Sequence, residues 1–264
     1  MPVLFCASIL AAQDESYSTK GNLYFTEASF RLTPHDKEWK TLSQSVTVSF
    51  ASSNSRYTKD KVPQVQILKN WNTSAWKGEK VHTQLLVWTN QRLPQVSFSL
   101  GKLVNEKGQT ISTEHIRAGF VRYVITDEFA GGCGYRKPQD FDSSLVADAI
   151  DITPSIPVPE QTVQPVWLSV HVPQQAATGL YKGTITIQAD KKYTLDYTVN
   201  VINRVLPAPN KWEFDLDLWQ HPAAIARVHN VRLWSDQHFQ LMRPYYSLLA
   251  SAGQKNITAS IMDE

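Results

Sequence analysis

Apolar and polar residues alternate with a period of two through most of this chain. The clearest runs are 45–50 (SVTVSF), 83–89 (TQLLVWT), 95–100 (QVSFSL), 120–126 (FVRYVIT), 166–172 (VWLSVHV), 181–188 (YKGTITIQ) and 193–201 (YTLDYTVNV). Each predicts a strand with one face buried and the other wet. That arrangement suits antiparallel sheets packed face to face. The polar Asp190-Lys191-Lys192 between the last two runs predicts a hairpin. Seven or more short strands with turn residues between them predict a mostly β chain, an antiparallel, immunoglobulin-like β-sandwich over residues 21–207. The pattern leaves open whether there is one sandwich or two smaller ones.

The alternation stops at 205–210 (VLPAPN), where two prolines forbid helix and disfavour a central strand. Beyond this connector the pattern changes. Residues 213–218 (EFDLDL) read as a short strand, and Ser235 reads as the N-cap of a helix. The helix carries Phe239, Met242, Tyr245 or Tyr246, Leu249 and Ala252 at three- and four-residue spacing. Gly253 supplies its stop, and 257–262 (ITASIM) reads as a second strand. Strand, helix, strand in this order is a βαβ unit, whose parallel strands need neighbours on both faces. Such a unit cannot bury itself, so residues 208–264 read as the front part of a larger fold. Pro244 is expected to kink or split the helix. Pro154, Pro157 and Pro159 mark an extended loop.

Charge narrows the function classes. Lys and Arg number 26 against 24 Asp and Glu, a formal net charge of +2, with no basic cluster. A nucleic-acid partner is therefore not expected. Aromatics reach 11%, with eight Trp, and there are 14 Pro. On a β-rich chain this fits a secreted or carbohydrate-handling protein, and it also fits an ordinary packed core. Residues 3–12 (VLFCASILAA) have the length of a signal-peptide core but lack a basic start, so residues 1–20 read as a signal-peptide remnant and leader. The alternative is a disordered or core-docked N-terminal strand. No run is long enough to span a bilayer, and the expected location is secreted, periplasmic or at the cell surface. With the leader removed, Cys133 is the one cysteine left and no intramolecular disulfide forms. It sits in Gly131-Gly132-Cys133-Gly134 with no His partner nearby. His229 and His238 are too far apart for the usual metal-ligand spacings, so neither metal nor cofactor is expected.

Several motifs together resemble one family. Asn70-Trp71-Asn72, Ala75-Trp76-Lys77-Gly78-Glu79, Val146-Ala147-Asp148, Gln164-Pro165-Val166-Trp167 and Gly179-Leu180-Tyr181-Lys182-Gly183 resemble the N-terminal sandwich of the glycoside hydrolase family 123-like proteins. Asp215-Leu216-Asp217-Leu218-Trp219-Gln220-His221-Pro222, Trp234-Ser235-Asp236, Leu241-Met242-Arg243-Pro244 and Ala252-Gly253-Gln254-Lys255-Asn256-Ile257-Thr258 resemble the opening of that family's catalytic barrel. The resemblance implies that 208–264 is the incomplete start of a (β/α) barrel. It also implies a bacterial, retaining glycosidase for terminal N-acetylgalactosaminides, in which the substrate's own acetamido group is the nucleophile. An adjacent Asp-Glu pair then orients the acetamide and protonates the leaving oxygen.

Three adjacent Asp-Glu pairs exist, Asp14-Glu15, Asp127-Glu128 and Asp263-Glu264. By resemblance the catalytic pair lies on a later strand, so no catalytic residue is assigned here and the chain is expected to be inactive alone. Its expected partners are a glycan and the missing C-terminal barrel segment. Candidate substrate-binding residues are Asp217, Trp219, Gln220 and His221, at the end of the first barrel strand. Trp71 and Trp76, in what reads as a polar loop, form either an aromatic platform or part of the sandwich packing. The alternative reading of the whole chain is a stand-alone carbohydrate-binding or scaffold sandwich.

Overall fold

The computed structural model describes residues 36–126 and 144–261. The N-terminal apolar run, Cys133 and all three adjacent Asp-Glu pairs lie outside the described residues. The chain divides into two compact units, one of them Phe25–Leu206 and the other containing Pro207–Glu264.

The first unit is built from two sheets. After a short helix α1 (Asp36–Lys40) come β1 (Val46–Ala51), β2 (Asn70–Lys77), β3 (Lys80–Thr89), β4 (Leu93–Leu100), β5 (Leu103–Asn105), β6 (Thr110–Ile111) and β7 (Ile116–Thr126). Then follow β8 (Ser144–Asp151), β9 (Ser155–Val158), β10 (Thr162–His171), β11 (Gly179–Gln188) and β12 (Lys192–Val205). A five-stranded sheet has the order β1-β3-β10-β7-β8. A seven-stranded sheet has the order β2-β12-β11-β4-β9, with β5 on β11 and β6 on β5. One continuous core joins the two sheets: Val48, Leu85, Phe120 and Leu168 from the first meet Ile185, Leu195, Tyr197 and Val199 from the second. All eight are fully buried. The alternation seen in sequence is thus the inward face of a single sandwich, each such side chain contributing about 1.5–3 kcal/mol by its removal from water.

Three local expectations are corrected. Trp71 and Trp76 are on a strand, β2, and not in a polar loop. Its inward residues Trp71, Thr73 and Ala75 alternate with Asn70, Asn72 and Ser74, so the apolar face is too thin to register as a pattern. The sheets are also not wholly antiparallel, because β2 runs parallel to β12 from Asn70 opposite Asp196 to Trp76 opposite Ile202. A turn at Gly78, at φ 86°, carries the chain from β2 into β3 of the other sheet. Finally, Pro157 lies within β9 and not in a loop. β9 is an edge strand, where a missing N–H is tolerated.

Pro165 is harder to accommodate, since β10 is a central strand. Its pairing with β7 ends at Val166 opposite Phe120. Beyond that point side chains replace the ladder. Gln164 Nε2 donates to Val121 O at 2.9 Å and to Pro165 O at 2.8 Å, and the Tyr123 hydroxyl donates to Val163 O at 2.8 Å. Buried carbonyls that a proline would orphan are satisfied this way. On the same outer face, Trp39, Leu86, Trp88 and Val163 form a second core under the 36–66 segment.

The second unit is small. It contains α2 (Pro222–His229) and α3 (Asp236–Ser251). Ser235 caps α3, its hydroxyl accepting from His238 N at 3.3 Å, and α3 continues through Pro244 as one helix and is not split. One proline removes one helical bond, which sixteen residues of helix absorb. The two segments read as strands in the sequence do not become regular strands. Isolated parallel bridges instead join the somewhat shifted runs 216–220 and 254–259, Leu216 with Gln254 and Gln220 with Ala259. Helix α2 was not anticipated. Its eight residues are too short for a clear period, and its cap is a histidine.

Candidate functional site

The candidate residues Asp217, Trp219, Gln220 and His221 lie on the extended run between Leu216 and the start of α2. This run is aligned parallel with 254–259, anchored by Gln220 N donating to Thr258 O at 2.7 Å. Few ladder bonds form, and side chains do the rest. Gln254, 7% exposed, accepts from Leu218 N through Oε1 at 3.3 Å. Its Nε2 donates to Leu218 O at 3.1 Å and to Asn256 O at 2.7 Å. One buried amide therefore fastens the two segments, and a second device lies beside it. The Lys255 ammonium donates to Trp212 O at 2.6 Å and pairs with Asp215 Oδ1 at 3.0 Å. Gly253, at φ 101°, has no room for a side chain, because a Cβ would come within 2.6 Å of the Trp212 ring.

The four candidates divide into two kinds. Trp219 is 83% exposed, presenting its indole to solvent, and the Asp217 carboxylate is exposed with no hydrogen bond or ion pair among the described residues. Gln220 folds back, its amide donating to Leu218 O. His221 is the cap of α2, Nδ1 accepting from Ala224 N at 3.2 Å. Both of these shape the run that carries the other two.

His238 holds the base of this run. It is fully buried, Nδ1 accepts from Trp234 N at 3.0 Å, and Nε2 donates to Pro222 O at 2.9 Å. A carbonyl only accepts, so these two bonds select the Nε2–H tautomer. Trp234 is held at φ 59°, costly for a bulky residue, by about 1–3 kcal/mol. Its ring packs on His238 and Phe239, at centroid distances of 5.4 and 6.1 Å. His238 was not singled out from the sequence for this role, and neither were Gln254 and Lys255. Nothing in local spacing distinguishes a buried clamp from a surface polar residue.

A hollow of about 420 Å³ is lined by Arg243, Tyr246, Leu249, Gln254, Lys255 and Ile257. It opens where the second parallel segment begins, whereas ligands of parallel α/β arrangements bind at the carboxyl ends of strands. The run at 217–221 is the better candidate on that ground. Among the described residues there is no group of three or more metal-ligating side chains, and no helix is long and apolar enough to cross a membrane.

Residues 50–189 match the glycoside hydrolase 123 N-terminal domain, and residues 219–264 match the glycoside hydrolase 123 catalytic domain. No curated protein matches. Among solved structures, a family 123 glycoside hydrolase from Clostridium perfringens, studied for the details of glycolipid glycan hydrolysis, aligns at 25% identity with a TM-score of 0.74. The alignment covers 81% of this chain and 37% of that one, so the chain spans well under half the length of its relative. The ASH/PapD-like domain of human CEP192 aligns at 12% identity over 69% of this chain and 99% of its own, with a TM-score of 0.31, too low to bear on fold or function. By the match over more than half its length, this chain belongs to the glycoside hydrolase 123 family.

Proposed function

We propose that this chain is the N-terminal portion of a secreted glycosidase that removes terminal β-linked N-acetylgalactosamine. The sandwich is its supporting domain, and residues 208–264 begin a (β/α) barrel. Hydrolysis proceeds with retention, the substrate's acetamido oxygen attacking the anomeric carbon. An Asp polarises the acetamide and the adjacent Glu protonates the leaving oxygen. That pair comes from outside this chain, and the chain alone is inactive.

The observation carrying this reading is the parallel alignment of 216–220 with 254–259 beside two helices, most of it within residues 219–264, which match the family's catalytic domain. Trp219 and Asp217 make the direct contacts. The exposed indole stacks on the apolar face of a pyranose, and the unpartnered carboxylate accepts from sugar hydroxyls. Gln220 and His221 keep the run in position for them.

The test is hydrolysis of an aryl N-acetyl-β-galactosaminide by this chain and by Glu264→Gln. Neither is expected to release product. Turnover that Glu264→Gln abolishes would make Asp263-Glu264 the catalytic pair and overturn the assignment.

A further inference from the structure

The two outer faces of the sandwich are unlike. That of the five-stranded sheet is partly covered by the 36–66 segment. That of the seven-stranded sheet has no covering element among the described residues of its own unit, and its side chains fall into rows. Register aligns Trp76 with Ile202, then Ser74 with Asn200 and Leu180, then Asn72 with Thr198 and Lys182. All eight point away from the core, because their neighbours Ala75, Val199, Val201 and Tyr181 are buried in it.

We propose that these three rows are a binding surface for a neutral oligosaccharide, with Trp76 as the stacking platform. Its chemistry and its size both point to a sugar. Trp76, Ile202 and Leu180 are 42, 39 and 40% exposed; Trp76 and Ile202 share a row and Leu180 lies diagonal to Ile202, so the apolar groups run obliquely beside the polar ones. In the polar strip Asn72, Ser74 and Asn200 are exposed, and none of their side chains bonds to protein among the described residues. Amide and hydroxyl groups of this kind both donate and accept, as sugar hydroxyls require. Within the rows the one charge is Lys182; the carboxylates of Glu79, which accepts from Trp76 N, and of Asp196, in the next row opposite Asn70, lie at their margins. At ~4.8 Å between strands and ~6.6 Å between rows, the surface measures about 10 by 13 Å, the footprint of a short oligosaccharide. The apolar strip exposes roughly 200–300 Å², against about 800 Å² per partner in a stable protein interface.

The platform is also rigid, which limits the ordering cost of binding. Trp76 N donates to Glu79 Oε2 at 2.7 Å, Gly78 N to Val172 O at 2.8 Å, and Leu206 N to Lys77 O at 2.8 Å. The end of β2 that carries the indole is thus tied on three sides. Trp71, the other tryptophan of that strand, is not part of the surface. It turns inward, its ring 6.5 Å from those of Phe50 and Tyr197.

This inference does not rest on the reading of residues 217–221. The experiment titrates isotope-labelled full chain with a neutral galactose- and N-acetylgalactosamine-containing tetrasaccharide, and separately with cellotetraose. Amide shifts are followed together with Trp fluorescence. Expected are shifts in 72–76, 180–182 and 198–202, a tenfold or greater loss of affinity in Trp76→Ala, and a several-fold loss in Asn200→Ala. Trp219→Ala should leave this binding intact, and all three variants should keep the parent melting temperature. Binding confined to 217–221 and indifferent to Trp76→Ala would overturn the proposal. So would an absence of shifts at millimolar concentrations of both sugars. Self-association abolished by Trp76→Ala would overturn it in favour of a second copy of the chain.

Discussion

The two units of this protein are held together by different physics. Within Phe25–Leu206 the stabilising elements are long ladders and a continuous apolar core, such as the ten paired positions from Gly179 opposite Val201 to Gln188 opposite Lys192. Within Pro207–Glu264 the buried side chains are few. Among the described residues Pro222, Ala223, Ala226 and Met242 are apolar, and His238 and Gln254 are polar. Cohesion there depends on single polar clamps where the sandwich depends on area. A scaffold built on area can lose more free energy at one site and still stay folded, whereas a unit built on clamps opens locally when one is removed. The candidate glycan contacts Asp217 and Trp219 sit in the second kind of structure.

The largest effect is expected at the heart of the sandwich. Leu168→Ala removes a fully buried side chain between the sheets and should lower stability by about 2–5 kcal/mol in urea unfolding. A change within error would show that the two sheets do not share a close-packed core. His238→Ala comes next. It leaves Pro222 O and Trp234 N without partners and should destabilise the second unit by roughly 2–4 kcal/mol. Proteolysis within 207–261 should accelerate while the sandwich melt stays unchanged. An equal loss in both units would erase the distinction drawn above. Gln164→Ala, leaving Val121 O without its donor in the sandwich, should cost about 1–3 kcal/mol.

The smallest effect is a dependence on pH. Burial pushes the Tyr197 phenol up to about 12 from the ordinary 10.0. The unfolded chain releases this proton first, so stability is full below pH 10 and falls as pH rises from about 10 to 12. Tyr197→Phe should make the alkaline limb of the stability profile shallower in that window, with Tyr181, Tyr193 and Tyr246, also raised by burial, supplying the rest. At neutral pH it should change little, because the hydroxyl lies at a long 3.5 Å from Gly101 O. An unchanged alkaline limb would mean that Tyr197 does not titrate in a buried setting.

Much of the sandwich was legible because burial on one face leaves a period of two, as in β11 and β12, and the hairpin turn between them names its own position. The strands that escaped notice carry weaker marks. β2 has Thr73 on its inward face and Asn and Ser on the other, and β9 carries a proline that its edge position tolerates. In the second unit Ser235 and Gly253 announced the ends of α3, but α2 begins at a histidine cap. The parallel pairing of 216–220 with 254–259 depends on the Gln254 amide more than on strand propensity, and no local pattern encodes that. The candidate site shares this limit. An exposed Trp219 and Asp217 can be guessed from sequence, but the roles of His238 and Lys255 emerge only when distant segments are brought together.

The most direct test of the division between area and clamps is native-state hydrogen exchange on the full chain. Slow exchange, at rates set by global unfolding, is expected for β3, β10, β11 and β12, and much faster exchange through local opening for 216–220 and 254–261. Equal protection in the two units would contradict it, and would mean that the second unit is as deeply stabilised as the sandwich.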